Sequence, residues 1–162
     1  MKIVNKTNYI TSEGFKKLVD ELNELILKER PEITKVIQWA AGNGDRSENA
    51  DYLYGRKRLR EIDKRCNFLR KRIELANVVE IKNIKSTVIK FGATVTLLND
   101  KNEYKTITIV GVDEVDTKNN KISWQSPLGK SLLNKEVGDE IEFKSPSGLQ
   151  SYEIADFTYK SQ

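Results

Sequence analysis

Residues 41–52 read AGNGDRSENADY, a turn-forming run set between two long segments of helical periodicity. Gly42, Asn43 and Gly44 supply the permissive backbone that a tight reversal requires. A connection this short makes the flanking helices antiparallel neighbours. The same stretch places three carboxylates, Asp45, Glu48 and Asp51, at the reversal. Asp45 has Glu48 three residues on, the spacing of a capping box, and Ser47 is a second candidate cap for the helix that follows. The other reading is that the acids are held out to meet something positive.

Upstream of the turn, residues 12–41 read as one long helix, with Thr11 or Ser12 as its cap and Glu13 in its first turn. Phe15, Leu18, Leu22, Ile26, Ile33, Ile37 and Ala40 recur at steps of three or four, with one skipped turn near Arg30. Pro31 removes a backbone donor and crowds the preceding turn, so a local irregularity is expected around Leu27–Pro31. Downstream, Tyr52, Gly55, Leu59, Ile62, Cys66, Leu69, Ile73 and Ala76 alternate steps of three and four, the seam of a helix packed along another. Cys66 falls on that seam and reads as core. At about 1.5 Å per residue, arms of this length reach some 40 to 45 Å, more than a core of this size requires.

Charge is divided unevenly along the 162 residues. The net charge of +4 resides wholly in the first half, where residues 1–80 carry 17 Lys and Arg against 13 Asp and Glu, while residues 81–162 carry 11 of each. Residues 56–72 alone hold nine basic side chains against Glu61 and Asp63. Such a field suits nucleic acid, an acidic protein surface, or simply a solvated helix face. The chain has no histidine and one cysteine, which removes imidazole chemistry, a zinc site and an intramolecular disulfide. No apolar run approaches the roughly 20 residues of a membrane span, and the opening MKIVNKTNYITSEGF lacks the apolar core of a signal peptide, so a cytoplasmic location is expected.

Past Asn77 the period changes from helical to alternating. Thr87–Lys90, Ala93–Leu98, Tyr104–Val110, Lys121–Trp124, Glu140–Lys144 and Ser151–Tyr159 read as strands, separated by turns at Asn99–Asn102, Asp116–Asn120 and Ser145–Gly148. A short helix fits Pro127–Leu133, capped by Ser126. The expected class is α+β, with an antiparallel coiled coil over residues 1–80, its acidic tip at 42–49, and a small antiparallel-sheet domain over 81–162. Val95, Leu97, Ile107, Ile109, Ile122, Trp124, Leu132, Ile141 and Phe143 are its candidate core. Phosphate-binding glycine loops of the GxxxxGK[ST] and GxGxxG kinds are absent from the sequence.

Two carboxylates three residues apart suit a hard cation such as magnesium, yet they do not complete a six-oxygen shell. The tip could therefore donate ligands to an ion that a partner already partly holds.

The run from Glu29 to Ile73, ERPEITKVIQWAAGNGDRSENADYLYGRKRLREIDKRCNFLRKRI, resembles the Gre family of bacterial transcript cleavage factors, in its GreB branch. FGATVTLLND, IVGVDEVD and ISWQSPLGKSLLNKEVGDEIEF extend the resemblance over essentially the whole chain. It implies an FKBP-like carboxy-terminal domain without isomerase activity, docked at the mouth of the RNA polymerase secondary channel, with the coiled coil inserted toward the active centre. It implies, further, that Asp45 and Glu48 of the GDxSEN motif help retain polymerase's second Mg2+ in trans and position the attacking water, with no metal bound tightly by the isolated monomer. Polymerase then hydrolyses backtracked nascent RNA and releases a 3′ fragment, so the chain is an activator and not itself an enzyme. Gly44, Arg46, Ser47 and Asn49 are implied to shape the tip, with Arg46 also a contact to polymerase or RNA. Arg56, Lys57, Arg60 and Lys64 are implied to engage extruded RNA, and Asp113, Glu114, Ser126 and Pro127 to dock on polymerase. The alternatives are a channel-binding modulator without cleavage activity, a nucleic-acid-binding protein using the basic helix, and a prolyl isomerase.

Overall fold

The computed structural model describes residues 7–44 and 48–160. Strand β1 (Asn8–Thr11) leads into α1 (Ser12–Glu24), a π-helical turn (Leu25–Glu29), α2 (Arg30–Ala41) and α3 (Ala50–Leu75). Then follow β2 (Ala76–Val79), β3 (Thr94–Leu98), β4 (Tyr104–Val110), β5 (Lys121–Ser123), α4 (Pro127–Leu132), β6 (Glu140–Ser145) and β7 (Gly148–Thr158). Of the described residues, those within Lys16–Leu75 form one compact unit, and those before and after it form a second.

Within the helical unit the first arm takes its irregularity where Pro31 demands it. The Arg30 N–H reaches the Leu25 carbonyl, five residues back, and this wider turn absorbs the donor that proline lacks at the next position. Leu18, Leu25 and Ala40 from the first arm and Gly55, Ile62, Cys66 and Leu69 from α3 are buried along the seam. Leu25 was not among the expected seam residues, although it stands seven residues, two helical turns, after Leu18 and so on the same face. Gly55 lets the arms approach closely, because a Cβ there would stand 2.7 Å from Ile37 Cγ1. Thr11 caps α1, its Oγ1 accepting from the Gly14 N–H at 3.0 Å, which settles the choice between Thr11 and Ser12.

The second unit carries a five-stranded sheet in the order β5-β4-β3-β7-β6 and a two-stranded pair, β1-β2. Three corrections to the sequence reading arise here. The sheet is mixed, since β5 runs parallel to β4 while β3–β4, β3–β7 and β6–β7 are antiparallel. Thr87–Lys90 is not a strand: the Ile89 N–H donates to Lys135 O at 2.8 Å, and Ile89 O accepts from the Asn134 N–H at 2.8 Å. The parallel β1–β2 pair, with Asn8 opposite Ala76 and Thr11 opposite Val79, was not anticipated. Its strands are four residues long and lie on either side of the helical unit in sequence.

The core of this unit is Ile89, Ala93, Val95, Leu97, Ile107, Ile109, Leu132, Ile141 and Ile154. Ile122 and Trp124 pack against it half-buried, and Phe143 lies stacked on Tyr152 at 5.9 Å between ring centroids. Helix α4 begins as its sequence specifies, with Pro127 in the first turn and Ser126 Oγ accepting from the Gly129 N–H at 3.0 Å. Among the described residues no helix is long and apolar enough to cross a membrane.

Candidate functional site at the helical turn

One side chain organises the described part of the turn. Asn49 Oδ1 accepts from the Tyr52 N–H at 3.0 Å, capping α3, while its Nδ2 donates to Ala40 O at 2.7 Å. The first contact satisfies a donor exposed at the start of α3, and the second a carbonyl exposed at the end of α2. A single amide thus fastens both helix ends. The cap is Asn49, in place of Asp45 or Ser47 as expected, because α3 begins only at Ala50. Gly44 has φ +124°, a backbone conformation that a side chain would strain, with open space where its Cβ would lie.

Glu48, next to this clamp, is exposed and borders a shallow concavity with Asn43, Asn49 and Asp51. Asp45, Arg46 and Ser47 lie outside the described residues. Among the described residues no group of three or more His, Cys, Asp or Glu side chains is arranged to hold a metal ion.

The basic residues of α3 divide into two sets. Those flanking the seam reach across to the first arm. Arg58 pairs with Glu29 at 2.8 Å and with Glu61 at 3.3 Å, and the hydrogen bonds it donates to Glu61 and Glu29 hold its guanidinium pKa above the ordinary value. Arg65 forks onto both carboxylate oxygens of Glu21 at 2.8 and 2.9 Å. In the reverse direction Arg30 meets Asp63 at 3.0 Å. By contrast Lys57, Arg60 and Lys64 lie on the face turned away from the seam, with Arg56 beside them; all four are exposed and engage none of the described residues.

In the sheet unit the expected docking residues have local work. Glu114 accepts from the Thr11 N–H at 3.0 Å and the Gly111 N–H at 2.8 Å, and the Thr11 hydroxyl donates to it as well. Its carboxylate fastens β1 and the start of α1 to the loop after β4. Asp113 accepts from Asn8 Nδ2 at 3.5 Å. Ser126 spends its hydroxyl on the α4 cap and on Ser123 O at 2.6 Å, which leaves Pro127 as the exposed member of the four.

Residues 8–78 match the family described as "Transcription elongation factor, N-terminal", and residues 84–159 match "Transcription elongation factor, GreA/GreB, C-term". The transcription elongation factor GreB of Neisseria meningitidis serogroup B is 52% identical over 153 residues, 94% of each chain. That of Yersinia pestis is 43% identical, covering 96% of this chain and 91% of its own. Among solved structures, a GreA/GreB factor from Nitrosomonas europaea is 25% identical over 94% of this chain and 99% of its own, with a TM-score of 0.42.

Proposed function

The chain belongs to the bacterial Gre family of transcription elongation factors, in its GreB-like branch, and from that premise we propose that Asp45 and Glu48 are the groups through which it acts. It is a transcript-cleavage factor for backtracked RNA polymerase, and it stimulates the nuclease activity intrinsic to polymerase without being the catalyst itself.

In this reading the helical hairpin enters the polymerase secondary channel and presents its turn to the active centre. The observation that carries it is the placement of Glu48: exposed, engaging none of the described residues, and next to an amide that locks both helix ends. A carboxylate tied up by its own fold could not be lent to a partner. Hard oxygen donors of this kind fit Mg2+, and a set of two requires that polymerase supply the remaining ligands. When bound, the ion stabilises charge on the attacking and leaving oxygens of phosphodiester hydrolysis. Asp45 and Glu48 would raise its occupancy and orient the attacking water. Arg46 and Ser47 complete the tip, with Gly44 providing the reversal and Asn49 the clamp.

Arg56, Lys57, Arg60 and Lys64 face the RNA 3′ segment extruded by backtracking, since unpaired exposed cations bind phosphate without first breaking an ion pair. We read the sheet unit as FKBP-like and as the part that docks on polymerase, through the surface around Asp113, Glu114, Ser126 and Pro127. The chain works as a cytoplasmic monomer.

The test is cleavage of RNA in a stalled, backtracked complex by wild type, Asp45→Asn and Glu48→Gln, with a further arm in which polymerase is omitted. Stimulated cleavage should vanish in both variants with binding to polymerase retained. Cleavage by the chain alone would overturn the assignment.

A further inference from the structure

Phe68 is an exposed aromatic in the middle of a cationic surface, and neither the seam nor the turn uses it. Lys57, Arg60, Lys64, Phe68 and Lys71 follow one another along α3 at steps of three, four, four and three, all exposed. That spacing puts them on one side of the helix, opposite the buried Gly55, Ile62, Cys66 and Leu69. The four cations of this row engage none of the described residues. Phe68 keeps 46% of its surface exposed, and the Arg65 guanidinium lies over its ring at 5.1 Å from the centroid. Arg65 is itself held by Glu21, so the ring is supported by a fixed cation.

A row of unpaired cations interrupted by an exposed, braced aromatic is the combination that binds single-stranded nucleic acid: charge follows the backbone, and a base stacks on the ring. An acidic protein surface would be satisfied by the cations alone and gives no reason for a phenyl group in water among them. Phe68 lies about 27 Å from Ala50 along the helix, at about 1.5 Å per residue, so a strand must be several nucleotides long to reach it from the turn.

We propose that Phe68 is a stacking platform for a base of extruded single-stranded RNA, with Lys64 and Lys71 holding phosphates one turn to either side. The inference rests on the preceding reading for the source of the RNA. It adds a second contact point, remote from the turn, that only long extruded segments meet.

The experiment uses the full chain with polymerase complexes backtracked by about two or about ten nucleotides, the longer of a size that grooves for single strands accommodate. Phe68→Leu keeps apolar bulk and helix propensity but removes the π face; Phe68→Tyr keeps the face. Helical content by circular dichroism should match wild type in both. On the long segment Phe68→Leu should raise the concentration of chain needed for half-maximal cleavage by about 5- to 150-fold, the range expected for one lost base stack. Phe68→Tyr should not raise it, neither variant should alter the short-segment value, and abasic RNA should erase the difference. Equal half-maximal concentrations for Phe68→Leu and wild type on the long segment would overturn the proposal. An equal loss on both segments would overturn it too, in favour of a contact with the channel wall. Glu48→Gln, run alongside, reports on the turn independently: its failure to reduce cleavage would sink the earlier reading whatever Phe68 does.

Discussion

The helical hairpin and the sheet unit use their side chains in opposite ways. In the sheet unit a closed cluster of nine buried apolar residues forms the core, and conspicuous polar groups such as Glu114 and Ser126 are spent on local hydrogen bonds. The hairpin has only a linear seam. It buries one row of residues on each arm, supplements them with cross-arm ion pairs, and leaves its far face and, at its turn, Glu48 available. An element without an enclosed interior has little on its surface that must be sacrificed to folding. That is why the candidate chemistry lies on the hairpin, and why three of the four expected docking residues of the sheet unit have their polar groups engaged.

The largest effect that would break this comparison is at the turn. Asp45→Asn or Glu48→Gln should lower stimulated cleavage by about 100-fold or more, and Glu48→Gln should leave the unfolding midpoint unchanged, because its exposed carboxylate engages none of the described residues. A stability loss in Glu48→Gln would show that the turn is structural after all. Next comes the closed core: Leu97→Ala, at a fully buried site, should destabilise the protein by about 2–5 kcal/mol, read as a drop in the denaturant midpoint. Gly55→Leu should cost about 1–3 kcal/mol or more by prying the arms apart at Ile37, and should reduce cleavage as well as stability. The smallest effect belongs to the half-exposed Arg65–Glu21 pair, where a double-mutant cycle should return a coupling of about 0.2–1 kcal/mol that shrinks with added salt. A coupling several times larger would mean that the arms depend on their ion pairs more than on the seam.

Legibility in the sequence followed the range of the forces involved. The seam of α3 and the break near Pro31 were readable because helical period and proline chemistry act within a few residues. The cap on α3 was not. Asp45 and Ser47 offer the same local signature as Asn49, and only the Ala40 carbonyl, on the other arm, selects among them. Thr87–Lys90 has the composition of a strand, but the backbone hydrogen bonds of its Ile89 go to Asn134 and Lys135, which lie in no strand. The direction of β5 and the β1–β2 pair likewise depend on partners distant in sequence, which alternation alone does not encode. For the basic residues, sequence showed a surplus of charge; the structure divided it, because Glu21 and Glu29 on the opposite arm claim Arg65 and Arg58.

Whether the turn lends its carboxylates to an ion is most directly read from the Mg2+ dependence of cleavage. In a titration of a backtracked polymerase complex, adding the chain should lower the Mg2+ concentration for half-maximal cleavage, and Asp45→Asn or Glu48→Gln should return it toward the value without the chain. An identical half-maximal Mg2+ concentration with and without wild-type chain, at undiminished stimulation, would contradict the account.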